Sequence, residues 1–151
     1  MSMLKLSRKT LLALEAVIDI AFNARPEPVQ AKEITARQGV PQRYLEQVMQ
    51  QLVRAGVLKG VRGPRGGYRL ARERRRISIG DVVRVAEALD DEMESAEPRS
   101  ALGTQIVTPL IATLQEEVMA KLDAISIEDL CTRARTAGID CGAGVSADFT
   151  I

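Results

Sequence analysis

Between residues 41 and 55 (PQRYLEQVMQQLVRA) apolar and polar positions separate at helical spacing. Leu45, Val48, Met49, Leu52 and Val53 share one face, and Gln42, Arg43, Glu46, Gln47, Gln50, Gln51 and Arg54 share the other. The pattern predicts a helix that packs on one side and offers amides and guanidinium groups on the other. Upstream, residues 31–38 (AKEITARQ) read as a shorter helix with Ile34 inward, stopped at Gly39 where a C-terminal cap favours positive φ; Pro41 suits the start of the next helix. Two short helices around a tight turn make a helix-turn-helix, or an ordinary helical hairpin with a solvated polar face.

The following segment favours the first. Val57, Leu58 and Val61, then Tyr68, Arg69 and Leu70, predict two short strands around Arg62-Gly63-Pro64-Arg65-Gly66-Gly67. A β-hairpin with a basic tip directly behind a recognition helix is the wing of a winged helix. No Gly-Lys-Ser/Thr follows the glycines, so they are not a phosphate-binding P-loop.

Elsewhere the periodicity is helical. Ser7 is the expected N-cap of a first helix to about residue 23, with Leu11, Leu12, Leu14, Val17, Ile18 and Ala21 inward. Val29, after the turn at residues 25–28, is expected to pair weakly with the wing as a third strand. Ser78 caps a helix over residues 79–89, with Ile79, Val82, Val83, Val85 and Leu89 inward. Residues 90–100 (DDEMESAEPRS) are acidic and without apolar period, and read as a mobile loop. Leu102, Ile106, Val107, Leu110, Ile111, Leu114, Val118, Met119 and Leu122 then recur at three and four residues, a stripe too long for one small domain to cover. It calls for a partner helix. Pro109 interrupts the stripe, and the favoured reading starts the long helix at Thr108 as N-cap. Ser126 with Glu128 and Asp129 caps a short last helix to about residue 136, and the Gly-containing tail reads as loose.

The fold expectation is therefore mainly α: a winged helix-turn-helix domain with a small β-hairpin wing plus a long C-terminal dimerisation helix. The divisions are residues 1–89 for DNA binding, 90–107 as acidic loop, 108–136 for the dimerisation helix and short terminal helix, and 137–151 as flexible tail.

Charge sharpens this. The 151 residues carry a net charge of +1, but residues 1–86 hold 17 Lys/Arg against 7 Asp/Glu, and residues 87–151 hold 4 against 13. A basic half with a winged-helix pattern is the electrostatic footprint of a nucleic-acid binder; the run at residues 72–76 (RERRR), by itself a solvated loop, adds to that field. The apolar run at residues 11–22 is broken by Glu15 and Asp19 and too short for a membrane span, and no signal peptide is read, so a cytoplasmic location is expected. With no histidine there is no Ser-His-Asp or Cys-His arrangement, and two cysteines cannot fill a four-ligand zinc site. Glu116 and Glu117 are adjacent on a helix and point apart, as on a solvated face. No enzyme is expected.

With these motifs laid out, LSRKTLLALEAVIDIA, YLEQVMQQLVRAGVLKGVRGPRGGYRLA, ISIGDVVRVAEAL and LDAISIEDL make the chain resemble the Rrf-two family of bacterial winged helix-turn-helix transcriptional regulators, over roughly residues 3–134. That family includes an iron-sulfur assembly regulator and a cysteine-metabolism repressor. The resemblance implies a homodimeric regulator, most naturally a repressor, that binds a palindromic operator on double-stranded DNA through paired winged helices. Expected base contacts are Gln42, Arg43, Tyr44 and Gln47, with Tyr44 equally suited to phosphate. Arg8, Lys9, Lys59, Arg62, Arg65 and Arg69 are expected on phosphates or, at the wing tip, in the minor groove. Dimerisation is expected through Leu110, Ile111, Leu114, Val118 and Leu122.

Many members of that family hold an iron-sulfur cluster on three cysteines before the dimerisation helix. Here Met93, Arg99 and Gln105 fall at or near those positions, Thr108 falls near an extra ligand position, and Ile111 replaces a common tryptophan. No metal ligands and no resident cofactor are expected, a cluster on unusual ligands being the alternative. Cys131 and Cys141 are read as a buried apolar residue and an incidental thiol; the alternative is a thiol-redox signal through both. A further alternative is action through a protein partner, such as a metabolic enzyme, docked on the acidic half.

Overall fold

The structure, a computed structural model, describes residues 6–23, 27–90 and 100–139. In chain order these form α1 (Arg8–Phe22), α2 (Ala31–Gln38), α3 (Gln42–Arg54), β1 (Leu58–Val61), β2 (Gly67–Leu70), α4 (Ile79–Asp90), α5 (Thr108–Asp123) and α6 (Ile127–Thr136). The segment 91–99 and the tail from residue 140, with Cys141, lie outside the described residues, as do Lys5 and residues 24–26.

Helix α1 starts at Ser7, whose Oγ accepts the Thr10 N–H at 3.2 Å, satisfying one of the donors a helix start leaves open. Its buried stripe is Ala13, Ala16, Val17, Ile20 and Ala21, where small residues let α4 and α6 approach. Leu11, expected inward, is 48% exposed. Apolar residues ring most of α1, so periodicity alone does not choose the face that the small residues select. Around α1 the core gathers Ile34, Leu45, Met49, Leu52, Leu58, Ile77 and Ile127 from the other elements.

Gln30 caps α2 in a reciprocal arrangement with Glu33, whose carboxylate accepts the Gln30 N–H at 2.7 Å. Gly39 ends α2 at φ 68°, as expected of a left-handed cap. Pro41 then stands one residue ahead of α3, which buries Leu45, Val48, Met49 and Leu52. Val53, expected among them, is 36% exposed and borders the hairpin.

Strands β1 and β2 pair antiparallel, with Leu58 opposite Leu70 and Lys59 opposite Arg69. Val29 joins as the expected third element: its N–H donates to the Tyr68 carbonyl at 2.9 Å and its own carbonyl accepts from Tyr68 at 2.7 Å. A Cβ on Gly67 would overlap the Val29 carbonyl oxygen, so this close approach requires glycine.

Residues 74–76 form a 3₁₀ turn rather than a free loop, and Arg74 pairs there with Glu128 of α6. Ser78 and Asp81 cap α4 reciprocally at 3.0 Å each way. Leading into α5, the helix is already present at Ala101 and passes through a π turn at Gly103–Val107. Thr108 has helical dihedrals, and its N–H donates to the Gly103 carbonyl five residues back. It is therefore not an N-cap, and residues 101–107 are helix rather than loop. Proline lacks an N–H and crowds the carbonyl four residues back; the wider π turn absorbs Pro109 without breaking the helix.

Candidate nucleic-acid interface

The helix-turn-helix is held from behind by a buried charge. Asp19 of α1 is 4% exposed. Its carboxylate accepts two bonds from the Arg37 guanidinium, at 2.9 and 2.7 Å, and one from Gln38 Nε2 at 2.8 Å. Asn23 Nδ2 donates to the Asp19 carbonyl at 2.8 Å and lies 3.4 Å from its carboxylate. A buried carboxylate is tolerable when its lone pairs are filled this way, and the fork fixes α2, hence the turn and α3, against α1. The only trace of this in sequence was a charge inside an apolar run.

On the opposite side, Gln42, Arg43 and Gln47 of α3 are exposed, as are Arg8 and Lys9 at the start of α1. Gln42 Nε2 donates to Glu46 at 3.1 Å, so a carboxylate sits among the exposed amides. Tyr44 is different. It is half-buried against the core, its hydroxyl donates to the Lys9 carbonyl at 2.5 Å, and the Lys9 ammonium stands 5.9 Å from its ring centre. Tyr44 thus ties the start of α3 to the start of α1.

The hairpin shares a groove with α3, lined by Val53, Gly60, Val61, Arg62, Gly67 and Tyr68. Burial and the nearby Glu46 carboxylate push the Tyr68 hydroxyl above its ordinary pKa. Lys59, Arg62 and Arg65 are exposed and Arg69 is half-exposed. Arg65 lies 3.9 Å from Glu27, with both side chains largely in solvent. Lys59 and Arg69 stand directly opposite on the ladder, so the wing presents both cations from one register position.

The long helix divides its apolar stripe between two uses. Val118, Met119 and Leu122 are half-buried, and Met119 and Leu122 pack onto the chain's own core. Leu102, Ile106, Val107, Leu110 and Leu114 are 72, 60, 53, 56 and 39% exposed. Ile111 is half-exposed between the two groups. Of the five residues expected at a dimer contact, Leu122 also packs on its own domain's core.

Residues 6–133 match the Rrf2 family of iron-dependent transcriptional regulators. The chain belongs to the Rrf2 family.

Among curated relatives, the HTH-type transcriptional regulator IscR of Aliivibrio salmonicida is 33% identical over 132 residues, spanning 84% of this chain and 77% of that protein. Among solved structures, IscR of T. potens superposes with a TM-score of 0.71 at 32% identity, over 93% of this chain and 96% of that one. CymR, the global cysteine regulator of B. subtilis, gives 0.69 at 31% identity, over 87% and 98%. The protein is a DNA-binding transcriptional regulator with a winged-helix fold. Its relatives are regulators rather than enzymes, and among the described residues no helix is long and apolar enough to cross a membrane.

The Rrf2 description names iron, and the donors present do not fit a thiolate-ligated cluster. The chain has two cysteines and no histidine, and residues 90–107 contain neither. Among the described residues no three His, Cys, Asp or Glu side chains cluster to hold a metal. Cys131 is 0% exposed on the packed face of α6. Burial pushes its thiol above the ordinary value, outweighing the opposing pull of Arg74. Because the thiolate is the species that attacks a disulfide or binds a metal, this environment does not suit the two-thiol redox signal. Alkylation of Cys131 in native protein at neutral pH is expected at least about 100-fold slower than in denaturant, read by mass spectrometry. Equal rates would show an accessible thiol.

Proposed function

We propose that this Rrf2 protein is a cluster-independent homodimer that occupies an inverted-repeat operator in the cytoplasm and represses transcription from it. Gln42, Arg43 and Gln47 read base edges, because the exposed N-terminal part of α3 is the part of a recognition helix that reaches deepest into a major groove. Lys59, Arg62, Arg65 and Arg69 of the wing, with Arg8 and Lys9, hold phosphates or the minor groove. Tyr44 acts by positioning, since its hydroxyl is engaged by the Lys9 carbonyl. The homodimer forms on Leu102, Ile106, Val107, Leu110, Ile111 and Leu114, with Val118 at the edge.

The observation that carries this reading is the exposed polar start of α3, Gln42, Arg43 and Gln47, beside a hairpin that carries Lys59, Arg62, Arg65 and Arg69. Selection of bound duplexes from a random pool tests it. The expected product is an inverted repeat whose half-site centres lie about one helical turn apart or a multiple of it. An asymmetric motif, or no enrichment, would overturn it. Within such a duplex, Arg65→Ala is expected to weaken binding and reduce the slope of log affinity against log salt by about one unit. An unchanged slope would remove Arg65 from the phosphate contacts.

A further inference from the structure

The dimerisation arm α5 meets the DNA-binding domain at a joint where its end packs on the start of α4. Two backbone bonds stitch it: the Ile79 N–H donates to the Ile125 carbonyl and the Ile127 N–H to the Ile77 carbonyl, both at 2.8 Å. Beside them Arg84 of α4 donates to both oxygens of Asp123, at 2.8 and 2.6 Å. That guanidinium holds the Asp123 carboxyl below the usual carboxylate range. The Asp123 side chain also rests on the spot where a Cβ on Gly80 would stand, overlapping Oδ1 and leaving only 2.9 Å to Cγ and 3.2 Å to the Asp123 backbone nitrogen. Gly80 has no positive φ to require glycine, and helix propensity alone favours alanine there. What it supplies is room for the arm.

The geometry points to Gly80, Arg84 and Asp123 as positioning residues that set the direction of the arm and thereby the half-site spacing that the dimer accepts. This rests on the homodimer proposed above. An exposed ion pair contributes little to stability, and these side chains are 52 and 40% exposed, so the joint is not read as a stabilising device. A fork seated over a glycine fixes an angle. In a dimer joined far from the DNA, a small change of that angle moves each recognition helix along and around the duplex. Inserting two base pairs between half-sites rotates one against the other by about 70° and shifts it by about 7 Å. A rigid arm does not follow such a change, whereas a loosened one does.

The test uses the full chain, the palindromic duplex selected by wild type, the same duplex with two base pairs inserted at its centre, and a single half-site. Wild type is expected to be a dimer by sedimentation and to bind the inserted duplex at least about tenfold more weakly. Arg84→Ala and Asp123→Ala are expected to remain dimeric, to bind the half-site as wild type does, and to narrow that discrimination to about threefold or less. Gly80→Ala is expected to do the same in the wild-type background and to add little to Asp123→Ala, because the clash is with that carboxylate. A monomeric wild type would defeat the dimer reading rather than this one. With a dimeric wild type, the inference is overturned if wild type tolerates the insertion, if the variants keep full discrimination, if they lose half-site affinity equally, or if the Gly80 and Asp123 effects simply add.

Discussion

Leu110→Glu is expected to convert the protein to monomers and remove tight operator binding while leaving the winged helix folded. Leu110 sits in the middle of the exposed row Leu102, Ile106, Leu110, Leu114, more than half exposed in the isolated chain. Burying such a side chain against a partner is worth about 2 kcal/mol, and placing a carboxylate there costs more. In a two-fold interface each substitution occurs twice, so the dimer weakens by about 4 kcal/mol or more, about a thousandfold. Because Leu110 is absent from the core, the thermal midpoint of the isolated domain should move little. Sedimentation and an operator titration read the two effects together. A variant that stays dimeric at micromolar concentration would place the interface elsewhere.

Asp19→Ala is expected to destabilise the fold by about 2–4 kcal/mol, since it leaves a partly buried guanidinium and an amide without their acceptor. Arg37 keeps about a fifth of its side chain in water, which is why the lower part of the usual range for a broken buried pair applies. The loss is expected to appear in the urea midpoint with an unchanged slope. Asp19→Asn, which keeps one acceptor oxygen, should cost less. A loss below about 1 kcal/mol for Asp19→Ala would mean that the α1–α2 fork does not hold the helix-turn-helix in place.

These two residues also mark where the sequence was and was not legible. The helix-turn-helix and wing could be read because their signals are local: an amphipathic α3, Gly39 at the cap, and a cluster of glycines at the turn of the hairpin. Val29 was readable as a third strand for the same reason, a β-branched residue beside a turn. Asp19 was not, because its partners Arg37 and Gln38 lie 18 and 19 residues away, and a charge without a visible partner reads as surface. Leu11 and Val53 fell on apolar stripes, but a stripe does not tell which of its margins meets another element. Leu122 continued the period of the dimerisation helix, though its neighbours Ile125 and Ile127 return the chain to its own core. Pro109 suggested a helix start because local rules contain no term for a π turn that accommodates it.

The same division applies to the interface. Amides on α3 and cations on the wing were legible as residue types at helical and strand spacing. That Lys59 would face Arg69 needed the register, and that Tyr44 would turn inward onto Lys9 needed the packing of α1 against α3.

The measurement that bears most directly on the central claim is the affinity of purified protein for its selected inverted repeat against a scrambled duplex of equal length, at one stated salt concentration, with the stoichiometry of the complex. The account predicts two protomers per duplex and a preference of at least about a thousandfold. Equal affinity for the two duplexes, or one protomer per site, would contradict it.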